Sequence, residues 1–177
     1  MPTYFSSDHH FGHGAARGFY RRPFASVDEM DRAMIERWNA VIAPDDVVWH
    51  LGDFAVRQSP QRVQFLLDVL HGRKHLIAGN NDDARVTGCP GWQSIQAYAE
   101  ITVDAISVVL CHYPFRTWRD MAKGSVNLHG HSHGRLKPLP RQFDVGVDVR
   151  SFRPVRLEEL LGAGSRRGSA LDTKPAA

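Results

Sequence analysis

Apolar positions along the chain follow two rhythms. Short β-type runs stand at Tyr4-Phe5, Val47-Val48-Trp49, His75-Leu76-Ile77-Ala78, Ile106 to Leu110 and Val126-Asn127-Leu128, each of strand length and bounded by polar or turn-forming residues. Between them the spacing turns helical. Met30, Met34, Trp38 and Val41 recur on one helix face behind Ser26-Val27-Asp28-Glu29, whose serine and following glutamate predict a capping box and a helix start. Ser59-Pro60 predicts a second N-terminus, with Val63, Leu66, Leu67 and Leu70 as its apolar stripe and Gly72 as its stop. A strand, this helix and a strand in succession require a right-handed crossover and parallel pairing. The later runs, Tyr98 to Val103 and Ile106 to Leu110, are parted only by Asp104-Ala105 and predict a hairpin. A strand from Phe143 to Val149 and a closing helix from Pro154 to Leu161 complete the predicted elements. The loop from Asp8 to Pro23 is too polar for a core. From Gly162 periodicity gives way to Gly, Ser, Arg and Ala, so residues 1–161 are expected to form one α/β domain and 162–177 a disordered tail.

Every predicted strand of the first set ends in ligand-type residues. Asp8-His9-His10 follows the first, Gly52-Asp53 the second, Gly79-Asn80-Asn81-Asp82 the third, Cys111-His112 the fourth and His129-Gly130-His131-Ser132-His133 the fifth. A lone Gly-Asp or His-X-His is ordinarily a turn or a core histidine, because short motifs are weak signals. Five strand ends with the same chemistry are a joint signal. Ligands bind outside the carboxyl ends of strands in open α/β sheets, and a site for two divalent ions needs carboxylate, imidazole and amide ligands from separate strand ends with at least one shared. Asp8 with His10, Asp53, Asn80, His112, and His131 with His133 are the candidate ligands. Members of the i, i+2 pairs point to one side if the chain there is extended.

Composition changes this picture little. At 177 residues the chain suits one domain with a two- or three-layer core. The net charge of +3 argues only weakly for nucleic acid, since residues 162–177 carry Arg166, Arg167 and Lys174 against one acid, Asp172. No apolar stretch reaches membrane-spanning length, and Met1-Pro2-Thr3-Tyr4 lacks the basic start and apolar block of a signal peptide. Two cysteines, Cys89 and Cys111, are too few for a disulfide framework. A cytoplasmic protein without membrane partners is expected, with oligomeric state left open.

Asp8-His9-His10, Gly52-Asp53, Gly79-Asn80-Asn81-Asp82, His112 and Gly130-His131-Ser132-His133 together resemble the signature of the calcineurin-like metallophosphoesterases, and Asp144-Val145-Gly146-Val147-Asp148 resembles the closing strand of small bacterial and phage members. The resemblance implies a four-layer α/β/β/α sandwich of two packed mixed sheets flanked by helices. It implies that Asp8, His10, Asp53 and His133 hold one ion, and that Asp53, Asn80, His112 and His131 hold the other, with Asp53 bridging. Manganese is the metal it favours, and mixed oxygen and nitrogen ligands also suit iron, nickel, zinc or magnesium. The implied reaction is hydrolysis of a phosphate ester by a hydroxide bridging the two ions.

The sequence departs from that family at one position. A histidine usually follows the Gly-Asn pair and assists the leaving oxygen; here the residue is Asn81, whose amide donates a hydrogen bond but is no acid near neutral pH. Esters with good leaving groups, or diesters, are therefore the expected substrates. His9 and His13 flank the first motif, and either is a candidate to supply the missing proton, the alternative for each being a solvated loop histidine. Asp82 is expected to orient a ligand histidine, and His50 to pack behind the ligands. Arg17, Arg22 and Arg116 are candidate phosphate clamps. Three functions compete: a phosphodiesterase; a phosphomonoesterase, nuclease or cyclic-nucleotide esterase using the same site, with Trp118 and Arg119 holding a base and a backbone; and a metal-bound interaction scaffold with weak catalysis, which the intact ligand set disfavours.

Overall fold

A computed structural model of the chain describes residues 1–137 and 139–168, with the backbone alone for 163–168. Two mixed sheets lie face to face. The first has the order β4-β3-β2-β1-β9, built from β1 (Thr3–Ser6), β2 (Val47–His50), β3 (Arg73–Ile77), β4 (Trp92–Gln96) and β9 (Val155–Arg156). Strands β1 to β4 are parallel and β9 pairs antiparallel with β1. The second has the order β5-β6-β7-β8, from β5 (Tyr98–Val103), β6 (Ile106–Cys111), β7 (Val126–His129) and β8 (Gln142–Asp144).

The apolar patterns find their partners in two cores. Met30, Met34 and Trp38 of α2 (Val27–Asn39) and Val63, Leu66 and Leu67 of α3 (Pro60–Val69) pack with Val48 and Leu76 on the outer face of the first sheet. Between the sheets, Phe5, Trp49, Leu51 and Ile77 meet Val108, Leu110, Val126 and Leu128. Both caps form: the Ser26 hydroxyl accepts from Glu29 N at 3.0 Å and the Ser59 hydroxyl from Arg62 N at 3.2 Å, satisfying backbone donors that the first helical turn leaves without partners. Segment 113–125, beyond β6, contains a 3-10 turn at Met121–Lys123 and the buried Trp118, and it meets the second sheet at Phe115, whose N–H donates to Asn127 Oδ1 at 3.4 Å and whose carbonyl accepts from Gln142 Nε2 at 2.5 Å.

The hairpin forms as expected, with Asp104 and Ala105 at φ of 50° and 64°. Two positive φ values define the turn whose twist matches the strands it joins. Strand β4 and the short helices α1 (Gly14–Phe19) and α4 (Ala84–Thr87) occupy stretches where no element is expected from the pattern. The strand expected from Phe143 to Val149 stops at Asp144, because the Asp144 carboxylate accepts from Gly146 N at 2.8 Å and turns the chain into a 3-10 segment, Val147–Val149. The closing helix α5 spans Leu157–Gly168. The boundary expected at Gly162 thus falls inside it, and residues 169–177 of the expected tail lie outside the described residues. Among the described residues no helix is long and apolar enough to cross a membrane.

Candidate metal centre

The carboxyl ends of β1, β2 and β3 meet those of β6 and β7 along one edge of the two sheets. The loops beyond continue the pairing: Asp8 N donates to Gly52 O, His10 N to Asp53 O and Gly130 N to His112 O, each at 3.0 Å. Gly52 has a φ of 91°, and a Cβ there would stand 2.6 Å from both Gly79 N and His112 Nδ1. Only glycine lets these ends approach so closely.

Five candidate ligands have left-handed backbone, with φ of 59° at Asp8, 52° at His10, 57° at Asp53, 63° at His131 and 47° at His133. The extended geometry expected for the i, i+2 pairs is thus replaced. Aspartate and histidine tolerate this region better than most residues, though at a cost, and such positions concentrate where function demands them. His9, between two left-handed residues, points away from the site. It is fully buried, stacked on Phe11 with ring centroids 5.0 Å apart, and its Nδ1 lies 2.9 Å from His50 Nε2. The structure does not bring His9 to the ligands as a proton donor. His13 stays at the rim, its ring centroid 5.6 Å from that of His10.

Asp8, His10 and His133 offer ligand atoms within 4.8 Å of one another, and so do Asp8, Asp53 and His112. Although Asp8 belongs to both groups, the oxygens of Asp53 face one histidine of each, with Oδ2 3.5 Å from His10 Nε2 and Oδ1 3.6 Å from His112 Nε2. Asn80 Oδ1 lies 3.1 Å from His112 Nε2. The His131 ring is in neither group and sits 5.1 Å from that of His112, while its backbone N–H donates to both Asp8 oxygens at 3.1 and 3.0 Å.

These donors suit a cation. His112 Nδ1–H donates to Leu51 O at 2.7 Å, which leaves an Nε2 lone pair facing the oxygens of Asn80 and Asp53. His10 is 2% exposed, yet neither ring nitrogen has a hydrogen-bond partner. Burial, reinforced by Asp144 and Asp53, pushes the Asp8 carboxyl well above its ordinary range. Burial, then Arg22 and His133, pulls His10 down to about 2. Such convergent lone pairs lack a positive partner among the described protein atoms.

Three residues behind the ligands do work the sequence did not assign. Asp148 accepts from His133 Nδ1–H at 2.7 Å and from Arg22 Nε and Nη2 at 2.8 and 2.9 Å. Burial raises its carboxyl, but these bonds outweigh that and hold it below its ordinary value. Arg22 also donates to the carbonyls of His9 at 2.7 Å and Asp8 at 2.6 Å, so it is a strut of the first loop and not a free phosphate clamp. Arg17 Nε donates to Phe24 O at 2.9 Å, whereas Arg116 is exposed. Asp82 orients no histidine: it accepts from Asp53 N, Gly79 N and Phe54 N at 2.7, 2.8 and 2.9 Å, tying two loops by charge-assisted bonds, and burial raises its carboxyl to about 6. The signal for Asp148 was present as an aspartate four residues after Asp144. Arg22 was legible only as a candidate clamp, since no spacing pairs it with Asp148.

The buried His9–His50 pair has a consequence for stability. Burial, then His112, lowers His50 to about 3, so between pH 6.5 and 3 the unfolded chain binds a proton that the folded chain refuses. Stability is therefore lost as pH falls through that window, at about 1.4 kcal/mol per pH unit for one proton. Urea titrations of chelated protein at several pH values are expected to show a slope flatter by about one proton in His50→Gln than in wild type; equal slopes would exclude this contribution.

Two mixed sheets thus meet at an edge where histidine, aspartate and asparagine side chains converge as candidate metal ligands. A model of the calcineurin-like phosphoesterase superfamily domain matches residues 1–141, and the chain belongs to that family. An uncharacterized protein of Methanocaldococcus jannaschii, MJ1445, is 28% identical to it over 166 residues, covering 89% of this chain and 88% of its own. The gene 66 protein of Mycobacterium phage D29 is 32% identical, with 83% of this chain and 88% of its own covered. Among solved structures, a protein of unknown function from Aquifex aeolicus, AQ665, superposes with a TM-score of 0.70 at 21% identity over 91% of this chain and 98% of its own, which bears on the fold.

Proposed function

We propose that the chain hydrolyses phosphate esters, diesters in preference to alkyl monoesters, at a centre for two divalent ions. Asp8, His10, Asp53 and His133 would hold one, and Asp53, Asn80, His112 and His131 the other, with manganese the favoured metal. The observation that carries this reading is the orientation of Asp53, whose two oxygens face His10 and His112 separately. When bound, such ions polarise phosphoryl oxygens and lower the pKa of water.

The protein's own atoms supply the rest. Leu51 O and Asp148 each fix one ligand histidine in the tautomer that presents Nε2 to the centre, a support that raises ligand basicity and precision. Asn81 donates from its backbone N to Asp53 Oδ1 at 2.9 Å and from its amide to Oδ2 at 2.6 Å. It holds the shared carboxylate and has no proton to give a departing oxygen. Burial, Arg22 and Arg57 lower the pKa of His13, so its protonated form is scarce at neutral pH and it holds little proton to give. Good leaving groups suit this arrangement, and diester chemistry with an aryl or similarly stable alkoxide is favoured. With Cys89 and Cys111 both free and buried, a reducing cytoplasm is the proposed compartment.

The test is a direct comparison. Purified protein with Mn²⁺ is expected to hydrolyse bis(p-nitrophenyl) phosphate at least about a hundredfold faster than an alkyl monoester, within the usual 10²- to 10⁴-fold effect of general acid catalysis, and to lose activity on chelation. Comparable rates on the two esters would overturn the diester preference, and no activity with any divalent metal would overturn the hydrolase reading.

A further inference from the structure

Beside the proposed centre lies a cleft of about 330 Å³ lined by Phe19, Tyr20, Arg21, His133 and Arg135, near the lower end of the roughly 300–1,000 Å³ typical of small-molecule sites. Tyr20 stacks on His133 with centroids 3.5 Å apart and planes 9° from parallel, so one wall is continuous with a proposed metal ligand. The Arg135 guanidinium stands 5.4 Å from the Tyr20 centroid and donates from Nη2 to Phe19 O at 2.6 Å, tying the 134–137 loop to the end of α1. Phe19 is 64% exposed, a large aromatic side chain held at the mouth of a polar site. Arg21 is exposed beside it.

We propose that this cleft receives the nucleobase of a nucleotide ester whose phosphate sits at the metal centre. The inference rests on the phosphoesterase reading, because His133 belongs to both places. Aromatic side chains stack on a planar ring, while the two guanidiniums offer donors and no acceptors. The ring must therefore carry acceptors on its edge, as a guanine does with O6 and N7. A plain hydrocarbon ring does not. The cleft's size suits one base. Trp118 and Arg119, the alternative base and backbone contacts, are otherwise engaged: Trp118 is buried with Nε1–H on Ser125 O, and Arg119 pairs with Glu100.

Calorimetric titration of Mn²⁺-loaded protein with inorganic phosphate, phenyl phosphate and guanosine 5′-monophosphate separates the parts. Guanosine monophosphate is expected to bind at least about tenfold more tightly than inorganic phosphate, the weaker part of the range for base–aromatic stacking, with phenyl phosphate between them. Phe19→Ala is expected to remove most of that gain while phosphate affinity stays within about twofold, and Arg135→Ala to remove the margin of guanosine monophosphate over phenyl phosphate. Phosphate binding with no added affinity from the base would overturn the cleft assignment alone. Equal affinity for guanosine monophosphate and phenyl phosphate, or a base-dependent gain untouched by both variants, would also overturn it. Failure of all three ligands to bind would overturn the phosphoesterase reading with it.

Discussion

Replacing Asp53 by asparagine is expected to lower turnover of an aryl phosphodiester by three orders of magnitude or more and to reduce metal content at both positions of the centre. The first figure follows from losing several kcal/mol of charge stabilisation at about 1.36 kcal/mol per factor of ten. The second follows from geometry: Asp53 Oδ2 lies 3.5 Å from His10 Nε2 and Oδ1 lies 3.6 Å from His112 Nε2, so one carboxylate faces both ligand groups. Asp8 is the rival for that role because its oxygens belong to both groups as well. Among the described residues, however, the ring it approaches within 4 Å is that of His133, at 3.9 Å, and His131 N–H occupies both its oxygens. Metal analysis of the purified variants decides. Asp53→Asn is expected to deplete both ions and His10→Ala chiefly one. Depletion of both by Asp8→Asn, with only one lost from Asp53→Asn, would move the bridge to Asp8.

What the sequence made legible was the part of this arrangement written in local patterns. Caps at Ser26 and Ser59, the apolar faces of α2 and α3, and the glycine before Asp53 each answer to rules of a few residues. The convergence of strand ends followed from repetition of one pattern at five of them, with parallel topology bringing the first three together. Legibility failed where a residue's direction depends on backbone conformation. The pairing of Asp8 with His10 presumed an extended chain, but φ is left-handed at both, and the His9 ring between them lies against Phe11 and His50. It failed again for long-range polar pairing: Arg22 and Asp148 meet across 126 positions, and no spacing rule connects them. Strand β4 was missed because Trp92-Gln93-Ser94-Ile95-Gln96 is an edge strand with polar, largely exposed positions, so it carries little of the apolar alternation that identifies a half-buried strand.

That pairing carries the other large expectation, which concerns stability. Arg22→Gln is expected to destabilise the metal-free protein by about 3–5 kcal/mol, the usual penalty for removing one partner of a buried ion pair. The Arg22 side chain is 0% exposed and that of Asp148 8%, so Asp148 would keep its charge with only His133 Nδ1–H as a partner, and the carbonyls of Asp8 and His9 would lose their donors. Glutamine offers two N–H bonds where four oxygen contacts, and a fifth to Met30 Sδ, are now made. Arg22→Lys is expected to recover less than half of the loss, since an ammonium keeps the charge but cannot span Asp148 and both carbonyls with a fixed fork. Urea denaturation at unchanged m-value reads the difference directly. A phosphate-clamping Arg22 would behave differently: its removal would raise KM for a diester and leave the unfolding midpoint in place. Because Asp148 also holds His133 in its tautomer, the destabilised variant should lose metal from the Asp8–His10–His133 group before the other, which links the fold's buried charge pair to the occupancy of one half of the centre.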